Sequence, residues 1–128
     1  MAYQEGVAIR NAQLSAKATA IGASGTLKIF TGAEPANCAA ADPAGLLCTI
    51  ALPASPFAAP SAGSMAKASV WSVAAAATGT AASFRIYDGS AVCHMQGAIP
   101  ADMTLDNTSI ATGQTVTVNT FTLTAGNA

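Results

Sequence analysis

The chain has 128 residues, enough for one domain with a real core, but only 9% are charged, against about 25% in ordinary soluble domains. Five Lys and Arg face six Asp and Glu, a net charge of -1, and Arg10, Lys17, Lys28, Lys67 and Arg85 are scattered. Nucleic-acid binding needs a basic footprint, and a membrane span needs about 18 or more consecutive apolar residues; the sequence carries neither.

Residues 5–20 are the one good helix candidate. Val7, Leu14, Ala18 and Ile21 fall on one face, and Gly22 and Gly25 end the run. "TLKIF" at 26–30 alternates as a strand. Residues 31–45 read as a long loop, with two prolines and an Asp-Pro pair. "LLCTIAL" at 46–52 is a strand, and Pro53, Pro56 and Pro60 exclude a central strand from the next segment. "KASVWS" at 67–72 reads as a strand around Trp71, and "AAAATGTAA" at 74–82 as a loop. "SFRIYD" and "AVCHMQGAI" flank Asp-Gly-Ser, a hairpin signal. Residues 103–114 hold a short strand and a turn.

The last strand, "TVTVNTFTLTAG" at 115–126, changes phase. Val116 and Val118 are on even positions, Phe121 and Leu123 on odd ones. Strands alternate faces with a period of two. One explanation is a bulge at Asn119–Thr120 that restores a single buried face. The other is a strand that buries its valines at home and gives Phe121 and Leu123 to a neighbour. The expected fold is therefore all-β, an antiparallel jelly-roll-like β-sandwich with a short N-terminal helix or arm. It forms a single domain over 1–128, with the helix or arm in 1–25 and the sandwich in 26–128.

The catalytic inventory is thin. His94 is the lone histidine, and Cys93 beside it points to the opposite face of a strand. The sequence has no nucleophile elbow, phosphate-binding loop or dinucleotide fingerprint. Cys38, Cys48 and Cys93 lack metal-ligand spacing. Their odd number and the absence of a signal-peptide pattern favour free thiols, with Cys38 and Cys48 the pair that oxidation could join. Glu34, Asp42, Asp88, Asp102 and Asp106 each stand alone in turn-like sequence, where carboxylates cap turns. The expectation is no enzyme, no cofactor, no metal and no small-molecule substrate.

An uncharged exterior gives little colloidal repulsion and suits a protein covered by other protein, although GC-rich coding DNA also enriches Ala. Three blocks, residues 9–42, 84–99 and 103–128, resemble small structural proteins of tailed phages and prophages of Gram-negative bacteria. The resemblance covers well over half of the chain and carries no catalytic motif. It implies a capsid cement or decoration protein on the outer shell, made in the host cytoplasm. Its partners would be the major capsid protein and copies of itself, as a dimer or trimer. A tail, collar or fibre component is the alternative within the virion. A host-surface or glycan-binding module is the alternative of another class, and a hydrolase built on His94 the least favoured. From their apolar, uncharged segments, Val7, Leu14, Phe57, Phe121 and Leu123 are the expected contact residues.

Overall fold

The computed structural model describes residues 3–125, which form one helix and ten strands. The chain is mostly β with antiparallel pairing throughout, as the sequence predicts. α1 spans Val7–Ile21 and ends at Gly22, whose φ of 73° places it where glycine is favoured. Gly6 supplies no side-chain cap, and α1 has no acidic residue in its first turn and no basic residue in its last. Such a helix depends on docking. Its buried stripe is Arg10, Leu14 and Ile21.

Strands β1 (Thr26–Phe30), β2 (Leu46–Ala51), β6 (Ser83–Tyr87) and β7 (Cys93–Ala98) make a four-stranded sheet in the order β2-β1-β6-β7. The β6–β7 hairpin turns on Asp88, whose Oδ1 accepts the backbone N–H groups of Ser90 and Val92. The second sheet is organised by β10 (Thr115–Thr124), flanked by β3 (Ser64–Ala66), β4 (Ser72–Ala74) and β8 (Met103–Leu105). The short β5 (Gly79–Thr80) and β9 (Ser109–Ile110) pair with each other. Both larger sheets are open. The proline segment contains only isolated bridges at Phe57 and Ser61.

The phase change in β10 is a bulge. Val118 pairs with Leu105 and Thr120 with Thr104, leaving Asn119 unmatched. Val116, Val118 and Phe121 are all buried, and both residues between Val118 and Phe121 are exposed. Gly126, in the strand reading, lies outside the described residues. The bulge yields a test. Deleting Asn119 keeps all three side chains facing inward, whereas deleting Thr117 turns one valine out. The Thr117 deletion should lower stability by about 1.5–3 kcal/mol more than the Asn119 deletion in urea melts, and equal losses would contradict the assignment.

Trp71 is not inside a strand. Ser69 has φ 63°, which breaks the run of chain along β10 into β3 and β4, and the Trp71 indole N–H donates to the Ala68 carbonyl at 3.1 Å. The ring fills the core, with Phe57 at 5.6 Å and Phe121 at 6.0 Å between centroids. Phe84 of β6 meets Phe121 edge-on at 5.4 Å, which joins the two larger sheets.

Candidate functional site

All five residues of β6 are buried, although a strand alternates faces. Phe84 and Ile86 point into the core. Ser83, Arg85 and Tyr87 point the other way and are covered by loop 31–45. The Ser83 hydroxyl donates to the Gly32 carbonyl at 2.6 Å. Arg85, 2% exposed, donates from Nη1 to the Ala40 carbonyl and to Asp42 Oδ1, each at 2.9 Å, and from Nη2 to the Asn37 carbonyl at 2.9 Å. Its Nε donates to Gln96 Oε1 at 3.1 Å, and Gln96 Nε2 donates to the Pro35 carbonyl at 2.7 Å. The Tyr87 hydroxyl donates to Asp42, and the Lys28 ammonium stands 5.0 Å from the Tyr87 ring centre. A loop with little apolar substance is thus held on the sheet by directed hydrogen bonds, half of them from one guanidinium.

The electrostatics follow this network. The Tyr87 hydroxyl, then the Arg85 guanidinium, hold the Asp42 carboxyl below its ordinary value against the opposing effect of burial. Burial, then the Asp42 carboxylate, push Tyr87 up. Cys93, opposite Tyr87 on β7, is pushed up to about 12 by burial and then by its contact with the Cys38 thiol.

Beside the covered face runs a groove of about 650 Å³. Its walls include Lys17 of α1, Cys38 of the loop, His94 and Gln96 of β7, and Phe121 and Leu123 of β10. Gly97 belongs here because a Cβ would come within 2.8 Å of the Phe84 ring and the Asp102 carboxylate. Asp102 in turn accepts the Ala98 N–H at 2.9 Å. His94 Nε2 lies 2.8 Å from Asp88 Oδ2. The Val92 backbone N–H first, and then His94, hold the Asp88 carboxyl below its ordinary value. That carboxylate is therefore also the cap of the hairpin turn. Among the described residues no three His, Cys, Asp or Glu side chains gather as a metal site.

The expected contact residues separate. Val7 is 51% exposed, as a contact residue must be. Leu14, Phe57 and Phe121 are corrected: they are 0%, 9% and 5% exposed and belong to the chain's own core. Their apolar character signals internal packing, because the β10 bulge turns Phe121 inward and the aromatic cluster captures Phe57. Leu123 is half-buried against the core and lines the groove. Cys38 and Cys48, the pair that oxidation could join, are kept apart by the sheet. Cys48 is 1% exposed and faces the core beside Ile29, while Cys38 lies over the opposite face of the sheet. All three cysteines are free.

Two arginines escaped the sequence reading. Arg10 is buried and donates from Nε and Nη2 to the Ala125 carbonyl at 3.2 and 3.0 Å, so it docks α1 on the end of β10. Asn11 Oδ1 accepts the Gly63 N–H at 2.9 Å. Gly63 has φ 76°, and a Cβ there would lie 2.3 Å from the Arg10 guanidinium. Arg85 offered one signal, a cation in phase with Ser83 and Tyr87 on an otherwise apolar strand. That phase does not reveal what covers it.

Together these features define an antiparallel β protein with a docked N-terminal helix and a hydrogen-bonded loop over one sheet. No protein-family model, curated protein or solved structure matches the chain.

Proposed function

We propose that the chain is a structural protein of a tailed-phage virion, of the capsid cement or decoration type, bound to the outer shell of the major capsid protein. The architecture proposed with it is a jelly-roll-like β-sandwich, supported by the Phe84–Phe121 contact between the larger sheets. The role is one of adhesion, with no substrate, cofactor or catalytic step. The resemblance of the three sequence blocks supports the class.

The observation that carries the contact surface is the outer side of α1. The helix buries only a narrow stripe and leaves Val7, Ala8, Ile9, Ala12, Ala16 and Ala20 exposed, with the neutral polar side chains of Gln13, Ser15 and Thr19 among them. The exposed side holds one charged residue, Lys17. Solvated helix faces normally carry several charged groups. Small, uncharged side chains instead let another backbone come close, and many such contacts around a shell add by avidity.

Ala12→Glu combined with Ala16→Glu should lower affinity for preformed shells at least about a hundredfold, because each buries an unpaired carboxylate in the interface. The folded chain should lose no more than about 1 kcal/mol, since both positions are exposed. Co-sedimentation with shells and a urea melt measure the two effects. Normal shell occupancy by the double variant would remove α1 from the interface. Stoichiometry in purified particles decides the location. Hundreds of copies mean the shell, and a single small ring means the tail or neck.

A further inference from the structure

We infer that Cys38 and Cys93 form a redox-modification site, a dithiol that a small disulfide of the oxidised-glutathione class converts to an internal disulfide, fastening loop 31–45 to β7. The inference stands apart from the virion reading. Cys93 pairs with Tyr87 in the hairpin register, which puts it on the covered face of the sheet with Arg85 and Gln96. Loop 31–45 crosses that same face. On one side of Cys38, the Asn37 carbonyl accepts from Arg85 and the Pro35 carbonyl accepts from Gln96, the β7 partner of Arg85. On the other side, the Ala40 carbonyl accepts from Arg85. Cys38 is therefore held between anchored residues and lines the groove with His94, Met95 and Gln96. The Cys38 thiol is near enough to raise the proton affinity of Cys93, and the Cys93 thiol donates to the Met95 carbonyl at 3.4 Å. Both are partly exposed, so a small oxidant can reach them. Cys48 cannot substitute, because the sheet lies between it and Cys38.

The exchange balances. The Cys38 thiol loses its proton to solvent, and its sulfur attacks one sulfur of the small disulfide, forming a mixed disulfide and releasing one thiolate. Cys93 then loses its proton, and its sulfur attacks the Cys38 sulfur and displaces the second thiolate. The two released protons protonate the two thiolates. One small disulfide is reduced to two thiols, and the protein dithiol is oxidised to one disulfide. Burial keeps Cys93 protonated at neutral pH, so the second step quickens as pH rises.

The test uses the full chain, folded, treated with oxidised glutathione at mildly alkaline pH. It is then acid-quenched, alkylated in denaturant and mapped by mass spectrometry. The expected product is lighter by two hydrogens, contains a Cys38–Cys93 linked peptide and carries alkylation on Cys48 alone. A lasting glutathione adduct on Cys38, a Cys38–Cys48 peptide or an unchanged mass would overturn the assignment. The oxidised chain should melt about 5–10 °C above the reduced one, and reductant should reverse the rise. Cys48→Ser should keep the rise and Cys93→Ser should abolish it. Linkage without any rise would overturn the claim that the bond fastens the loop. If Cys93→Ser does not fold, the wild-type peptide map and melts decide the matter alone.

Discussion

Trp71→Ala should cost about 3–5 kcal/mol, a large part of the roughly 5–15 kcal/mol that a domain of this kind has. The indole is fully buried at the break between β3 and β4. It touches Phe57 edge-on and Phe121 at a tilt, and Phe121 continues the chain of rings to Phe84. Removing it empties a space that Phe57 and Phe121 border, and neither can move in without giving up its own pairing. The indole N–H bond to Ala68 is lost as well, although deletion of the donor leaves the carbonyl free to find water. Urea unfolding should show a midpoint shift of that size. Trp71→Phe should recover part of the loss, and Val70→Ala, at a side chain 72% exposed, should change little. A loss for Trp71→Ala no larger than for Val70→Ala would mean that the rings do not carry the core.

The same cluster shows where reading the sequence stops. Period-two alternation and turn chemistry are local, and they located what is local. The helix, the Asp88 hairpin, the proline segment and the Asn119 bulge all lie where their residues predict. Apolar character is not addressed to a particular partner. Phe57 and Phe121 look alike whether they fill their own core or a neighbour's, and only the packing tells them apart. The helix makes the point with a charge. Val7 and Arg10 both lie at helical spacing from Leu14, and hydrophobicity alone chooses Val7 for the buried stripe. The structure buries Arg10, because its guanidinium reaches the Ala125 carbonyl at the far end of the chain. Ser69 was equally silent, since nothing in "KASVWS" announces a positive φ in a non-glycine residue. The covered face of β6 depends on partners about forty positions away in sequence. No spacing rule reaches that far.

Arg85→Met should be the second severe change, at about 3 kcal/mol. Breaking a buried charge network by removing one partner costs about 3–5 kcal/mol, and the lower end applies because the Asp42 side chain is 44% exposed and can rehydrate. The Asn37 and Ala40 carbonyls lose their donor, and Gln96 loses its link to β6. Asp42→Asn should cost only about 1 kcal/mol, since the other Arg85 hydrogen bonds survive. The comparison separates a guanidinium that organises a loop from a simple ion pair, for which the two variants would cost the same. The network also shapes the pH dependence. Asp42 titrates below its usual value of 3.8 in the folded chain, so its contribution is present above about pH 4 and is lost as pH falls through the lowered value. Tyr87 and Cys93 are raised, so the folded chain holds their protons more tightly than the unfolded one does. Their contribution is complete below the unfolded values and fades as pH climbs past about 9 for the thiol and about 10 for the phenol. Wild-type stability should therefore be flat between about pH 4 and 9 and fall on both sides. In Arg85→Met the acid fall should be smaller and end at a higher pH, because the carboxylate has lost its cation but kept the Tyr87 hydroxyl. An acid limb that does not move would mean that Arg85 and Asp42 do not interact in solution.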